Sequence, residues 1–396
     1  YRRTFDNGTG EIIGTSPTAG ANQAALLSLL SGVRLAGDET REVRHNLISQ
    51  SKEDGWGLSA QADYELANGM TLTSITANRE WDIYGIREGD WLDRPAAYVG
   101  NAFAQLHDYG PQSNTTFTQE VRLTSPGDQP LQYVLGGFFY SADATRTFTR
   151  DVTVCSATTL AVNSTGLAPC APGFSTFVSG SSSATFGSEF TNWAVFGDAS
   201  YDLTERFTLL GGLRFASDEL SVFHDRTPSL VALPGIRTDT TGFRDSTDAT
   251  NVTGRLGVQY DFTPDVTGYA TYSRGYKGPA YNVFFNQTAQ QRNVIEGEDV
   301  DAYEAGLKTD LFNGGLILNA AVYRAEYSNF QANSFDTLNG VVITRLTNAG
   351  EISSTGFELD AIVRPTDALT FTGGVAYNDA QIERFRAADG SLSSAR

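Results

Sequence analysis

The chain has 396 residues, more than a usual soluble domain, and carries 28 Lys and Arg against 46 Asp and Glu, a net charge of −18. That acidity argues against nucleic acid and other polyanions as partners, because phosphate binding needs clustered basic residues. Forty Gly, 17 Tyr and 24 Phe stand beside a single Met, and no apolar run approaches the roughly 18 residues of a membrane-spanning helix, so strands and turns are favoured.

Tyr1 to Phe5 reads as the tail of a strand, and Asp6 to Gln50 as a loop with a short helix at Gln23 to Leu30. The chain opens without Met, a basic segment or an apolar segment, so any export signal is expected to be missing or removed. Neither Tyr1 nor Arg396 reads as a natural terminus.

The rest repeats one unit: an alternating segment, a short polar turn, a second alternating segment, then a long polar loop. This is the pattern of an up-and-down meander. The short turns are Ala67-Asn68-Gly69, Pro126 to Pro130, Thr204-Glu205-Arg206, Thr263-Pro264-Asp265, Asn313-Gly314 and Pro365-Thr366-Asp367. Each has turn chemistry: Gly or Asn for positive φ, Pro for a preset φ, Asp for local side-chain bonds. The loops run approximately from Gly85 to Gln112, Thr145 to Ser188, Ser221 to Asp248, Gly278 to Asp299 and Gln331 to Gly350. Short turns on one rim and long loops on the other are the asymmetry of outer-membrane barrels.

Parity assigns faces. Trp193, Val195, Gly197, Ala199, Tyr201 and Leu203 share one face, and Asn192, Asp198, Ser200 and Asp202 the other. The same division separates Leu209, Leu213 and Phe215 from Arg214, and Leu256, Val258 and Tyr260 from Arg255. It also separates Tyr303 and Leu307 from Glu304 and Lys308, and Phe357 and Leu359 from Glu358 and Asp360. Charges gathered on one face suit a barrel lumen, where water or a plug solvates ions that lipid would expel. Val266 to Lys277 and the surroundings of Ile317 resist assignment to a face. A large soluble sandwich or solenoid also alternates. Against it stand segments of about 12 to 15 residues, where the usual strand mode is about 5 to 6, and aromatics near many strand ends. About six hairpins, some 12 strands, are expected, with no break into separate domains.

Cys155 and Cys170 lie in a Ser-, Thr-, Gly- and Pro-rich stretch without CxxC spacing or a nearby His. A loop-closing disulfide in an oxidising compartment is the reading, with two free thiols as the alternative.

The stretch Phe117 to Pro126, FTQEVRLTSP, followed by LQYVLGGFFY at Leu131 to Tyr140, resembles a hairpin of TonB-dependent receptors. Thr71 to Asn78, Tyr269 to Pro279, Val300 to Phe312, Leu316 to Tyr327 and Asn348 to Asp360 are similar to further strands of that family, in the family's order. The resemblance spans roughly Trp56 to Gln381. It implies an all-β, transmembrane, antiparallel up-and-down barrel with short periplasmic turns and long extracellular loops. Family barrels have about 22 strands around an N-terminal plug with a TonB-binding box. Residues 1–396 would then be one partial barrel domain, about 12–13 strands, without plug, box or C-terminal strands. The implied function is outer-membrane uptake of a scarce nutrient, a ferric siderophore or similar chelate, energised by the TonB complex through the missing plug. Bacterial outer-membrane lipid is the surrounding partner. A passive porin and a surface adhesin are the alternatives.

For capture of a bulky, anionic, partly aromatic chelate, flat rings and guanidinium groups in loops or on the lumen face are the candidates. These are Tyr84, Arg87, Trp91, Arg94, Tyr98, Arg274, Tyr276, Lys277, Tyr281, Phe284 and Phe285, whose alternative role is to order loops or sit at the membrane interface. Glu120, Arg122, Arg214, Arg255, Glu304, Lys308, Glu358 and Asp360 are expected on the lumen face, bonding one another or holding the plug. No catalytic constellation, cofactor or metal site is expected. His107-Asp108 and His224-Asp225 are adjacent in sequence, which seldom makes a working acid–base pair, and no nucleophile motif accompanies them. The acidic stretches Glu88-Gly89-Asp90 and Glu296 to Asp301 lack the ligand spacing of an EF-hand and read as solvated loop charge.

Overall fold

The structure, a computed structural model, describes residues 4–5, 12–13, 47–89, 105–157, 174–233, 235–338, 341–386 and 392–394. Two short strands, β1 (Thr4–Phe5) and β2 (Ile12–Ile13), pair with each other in a sheet of their own. Of the expected strand tail Tyr1 to Phe5, the described residues Thr4 and Phe5 pair with Ile12 and Ile13 and not with the main sheet, since a partner a few residues away closes a smaller loop than a distant sheet edge. The expected helix at Gln23 to Leu30 lies outside the described residues.

The main sheet contains β3 (Gln50–Glu65), β4 (Thr71–Glu88), β5 (Gln105–Thr124), β6 (Leu131–Ala157), β7 (Phe174–Thr204), β8 (Phe207–Thr227) and β9 (Thr241–Thr263). It continues through β10 (Val266–Lys277), β11 (Glu298–Leu311), β12 (Leu316–Leu338), β13 (Val341–Thr366), β14 (Leu369–Arg386) and β15 (Leu392–Ser394). Every strand pairs antiparallel with its chain neighbours, in the order β3 to β15 without a crossover. All six expected short turns fall on one rim. Several are closed by their own side chains: Asn68 Oδ1 accepts from Met70 N at 3.3 Å, and Thr204 Oγ1 accepts from Phe207 N at 3.1 Å.

The opposite rim differs from expectation. Most of Thr145 to Ser188, Ser221 to Asp248 and Gln331 to Gly350 is strand, because β6, β7, β8, β9, β12 and β13 run far past the apolar zone. Beyond the bilayer the outer face meets water, so Ser and Thr suffice as outward side chains while the backbone ladder continues. Thr147 and Thr185, and Thr149 and Ser183, bridge β6 and β7 there through hydroxyl pairs at 2.9 Å. Gly110, at φ 148°, sits where a Cβ would lie 2.0 Å from the Thr147 carbonyl oxygen, so only glycine fits that position.

Register confirms the parity. Large apolar side chains of the outer face remain exposed: Trp193 at 47%, Val195 at 55% and Leu213 at 70%. That exposure is unfavourable in water and favourable against acyl chains. Trp193 to Tyr201, nine residues, separates an upper aromatic girdle from one near the short turns, in line with the 9–11 residues of a tilted membrane-crossing strand. One row of cross-strand neighbours shows the stagger. It starts at Tyr64 beside a short turn and passes Leu72, Leu123 and Leu135. After Gly197, Leu213 and Gly254 it reaches Arg274, Asp301 and Glu326. Apolar at its start and charged at its end, the row climbs out of the bilayer as tilted barrel strands require. Register also settles the two segments left open: Tyr269 and Ile317 face inward, Tyr272 and Leu318 outward.

Candidate functional site

All eight expected lumen residues lie on the inner face. Arg122 donates to Glu120 at 3.0 Å, and Arg255 donates to both carboxylate oxygens of Asp198 at 2.7 and 2.8 Å. Arg214 sits over the rings of Phe138 and Phe196 at 5.4 and 5.7 Å. Glu304 accepts from the Tyr269 hydroxyl at 2.6 Å, while Lys308 lies 5.6 Å from the centre of the same ring. Glu358 and Asp360 share this face through their pairing with Ala321 and Asn319.

Toward the long-loop rim the inner face turns apolar. Phe148 and Val152 of β6 and Ala184 and Phe186 of β7 form a buried cluster with Ile236 and Phe285, which come from connections 228–240 and 278–297. Burial of those two side chains draws both loops inward over the sheet. Phe285 stacks at a tilt on Phe148, ring centres 4.7 Å apart. Hydrogen bonds fix the second loop: Arg226 donates to the Phe285 carbonyl at 3.0 Å and the Gln287 carbonyl at 2.8 Å. His224 Nε2 meets the Phe284 carbonyl at 3.1 Å, so it carries the proton, and Nδ1 accepts from Thr241 at 2.7 Å. Asp225 instead accepts from Arg244, so His224 and Asp225 form no acid–base pair.

Three guanidinium groups surround Phe148: those of Arg87, Arg146 and Arg150, at 5.8, 5.2 and 5.6 Å from the ring centre. One buried carboxylate, Asp108, serves two of them. It accepts from Arg150 at 2.6 and 2.7 Å and from Arg87 at 2.6 Å. Arg146 has no carboxylate partner among the described residues. It lines a cavity of about 460 Å³ beneath connection 278–297, with Gln112, Phe186, Ser188, Tyr281 and Val283. Burial, and then the nearby Asp245 carboxylate, push the Tyr281 hydroxyl up to about 12, so it stays a neutral donor. The cavity therefore offers a guanidinium, a phenol and an amide beside aromatic walls, a set suited to an anionic, partly aromatic guest.

The expected capture residues divide. Arg87, Tyr281 and Phe285 join this region, and Phe284 contributes its backbone carbonyl. Tyr276 donates to Asp218 at 2.9 Å, and Lys277 stands exposed opposite Glu298. Tyr84, 45% exposed, and Arg274 have outer-face parity, away from the cavity. Trp91, Arg94 and Tyr98 lie outside the described residues, as do Cys170 and the side chain of Cys155, the expected disulfide. Of the acidic stretches, Glu298 accepts from Gln331 N at 2.7 Å, Glu88 accepts from Leu47 N at 3.2 Å, and Asp90 lies outside the described residues. Sequence reasoning missed Asp108, Arg146, Phe148 and Arg150. The signal was present in TRTFTRDV, where Arg, Phe, Arg and Val recur at every second position from Arg146 to Val152.

An uncrossed antiparallel meander, apolar outside and charged inside, with short turns on one rim and long excursions on the other, is the wall of a transmembrane β-barrel. The family described as TonB dependent receptor-like, beta-barrel matches residues 2–394, and the chain belongs to that family. The family is one of outer-membrane transport receptors. The pesticin receptor of Yersinia pestis is 27% identical over 169 residues, 42% of this chain and 23% of that protein. The metal-pseudopaline receptor CntO of Pseudomonas aeruginosa is 32% identical over 133 residues, 33% of this chain and 17% of that one. Among solved structures, the ferric yersiniabactin uptake receptor FyuA from Yersinia pestis aligns with TM-score 0.61 at 19% identity, covering 85% of this chain and 43% of that one. The chain thus spans less than half the length of each of these three relatives.

Proposed function

We propose that this chain forms part of the wall of a bacterial outer-membrane receptor that imports a ferric siderophore or a similar anionic metal chelate. Energy would come from the TonB complex acting through a plug carried elsewhere in the protein. One observation carries the choice of ligand: three guanidinium groups around Phe148 with a single carboxylate among them, beside a cavity at the long-loop end of the inner face. Relatives named for ferric and metal chelates support the same class. Connections 228–240 and 278–297, packed on the inner face, favour gated entry over the clear passage of a porin. Arg146 and Tyr281 would grip the chelate's anionic oxygens, and Phe186 would cover its flat face. Movement of the plug would then release it inward.

Titration of the protein in detergent with anionic and neutral ferric chelates of similar size, followed by tryptophan fluorescence, tests this. The anionic chelate should bind more tightly by about tenfold or more, equivalent to about 1.4 kcal/mol. Arg146→Gln should remove most of that preference. Equal affinity for the two chelates would overturn the reading.

A further inference from the structure

A second cavity lies at the long-loop end, between connection 278–297 and the upper part of β13, and its chemistry is unlike that of the cavity around Arg146. It holds about 290 Å³, room for some ten waters at roughly 30 Å³ each, which is the scale of one sugar ring. Among the described residues no aromatic side chain lines it; its walls are amides, one guanidinium, one carboxylate and a few aliphatic groups. Two of the amides build the frame. Asn282 bonds the edge of β13 in both directions, accepting from Leu346 N at 2.8 Å and donating to the Leu346 carbonyl at 2.9 Å. Asn348 does the same to the connection, accepting from Glu296 N at 2.9 Å and donating to the Glu296 carbonyl at 2.9 Å. These bonds hold the two segments at a fixed spacing, so the space between them is preformed.

Within that frame hydrogen-bonding capacity is left over. Gln291 is 5% exposed, and its oxygen is committed to the amide and the hydroxyl of Thr288 at 2.9 and 3.1 Å, so its nitrogen is the end without a partner. The side chains of Gln290, Asn293 and Thr347 make no hydrogen bond among the described residues, and the Glu296 carboxylate uses only Oε2, which accepts from Asn329 at 3.2 Å. Arg345 and Glu296 bring one charge of each sign, so the cavity as a whole favours neither anion nor cation. Amides, a hydroxyl and a carboxylate offer donors and acceptors side by side, the arrangement that neighbouring hydroxyl groups need. Val294, Ile295 and Leu346 add an aliphatic surface for C–H bonds. The matching guest is neutral, donates as well as accepts, and keeps a hydrocarbon face.

We infer that this cavity is a saccharide site that takes one neutral hexose unit, whether of a free sugar or of a cell-surface glycolipid. It is independent of the transported chelate, whose anionic oxygens call for the cationic, aromatic cavity around Arg146.

Saturation-transfer NMR on the full-length protein, in an amine-oxide detergent that carries no sugar headgroup, tests this with glucose, galactose and mannose at millimolar concentration. At least one of the three should receive saturation from the protein, and cyclohexanol, a ring with a single hydroxyl, should not. Gln291→Leu should reduce the transfer about fivefold or more, the loss expected when a buried hydrogen-bonding group is removed from a site. Asn293→Ala, at an exposed position whose side chain has no bond to lose, should also reduce it. Heat-modifiable gel migration confirms that each variant is folded. Added lipopolysaccharide should abolish the hexose signal where glycolipid is the natural source, and leave it where the source is free sugar. No transfer to any of the three hexoses, or undiminished transfer in both folded variants, would overturn the inference.

Discussion

Arg150 holds Asp108 in a two-pronged bond, Nε to Oδ1 at 2.6 Å and a terminal nitrogen to Oδ2 at 2.7 Å, with the carboxylate only 1% exposed. This pair joins β5 to β6 on the inner face and fixes the direction of the guanidinium beside Phe148. Asp108→Asn removes the charge and leaves Arg150, itself 16% exposed, without its counterion. Breaking a buried pair costs roughly 3–5 kcal/mol, and partial solvent access to Arg87 places the expected loss at the lower end. Hydrogen exchange should show the loss in the upper parts of β5 and β6, with the strands near the short turns unchanged.

Arg226→Leu deprives the Phe285 and Gln287 carbonyls of their donor. Bonds from a charged donor contribute about 1.5–3 kcal/mol each, so amides of residues 278–297 should exchange at least about tenfold faster. Protection of β7 should not change; if it falls equally, Arg226 supports the wall and not the loop.

The two faces should respond oppositely to added charge. Val195→Arg places a guanidinium in the lipid belt, at about 2–4 kcal/mol if near the midplane. Ser200→Arg, on the inner face next to Asp198 and Asp202, should be close to neutral. Folding free energies in lipid vesicles measure both, and a similar cost for the two would contradict the facing.

Gly110→Ala should strain the hairpin locally by about 1–3 kcal/mol, because both φ and the Thr147 carbonyl exclude a Cβ. Faster limited proteolysis of the upper β5–β6 region, with normal barrel migration on gels, is the expected result.

Connection 228–240 should loosen in acid. Burial pushes the Asp239 carboxyl up, but the Arg237 hydrogen bond and the charges of Arg237 and Arg226 outweigh it and hold it below the usual carboxylate range. A group depressed in the folded state stabilises fully above its unfolded pKa and loses that contribution as pH falls through the folded value. Exchange in this loop should therefore be slow at neutral pH and rise on acidification below the ordinary Asp range. Asp239→Asn should flatten the profile.

The wall was legible in the sequence because each residue there faces either lipid or lumen, and those two solvents demand opposite chemistry at alternate positions. Trp193 and Asp198, or Leu213 and Arg214, declare their faces without any tertiary information. Above the membrane the outer face meets water in place of lipid, and its side chains become Ser and Thr. Between Thr145 and Ser188 a strand of Ser and Thr looks like a loop, although β6 and β7 continue there as a ladder. The site was only partly legible for another reason. Arg87 and Phe285 were picked out by residue type, but the contact of Phe285 with Phe148 joins segments distant in sequence, and no local pattern encodes it. Arg274 was misplaced because Val266 to Lys277 mixes aromatics on both faces, and only its register with β9 and β11 shows that it points outward.

The uncrossed order of the strands also bears on assembly. Since each strand bonds only to the strands before and after it in the chain, the ladder can be laid down hairpin by hairpin, with each new pair templated on an edge already formed. Such a process keeps the entropy of loop closure small at every step. Mispairing by one position would turn an entire strand's apolar side chains toward the lumen. The short turns thus serve as the register marks of a processive zipper, and lengthening one of them should stall insertion at that hairpin.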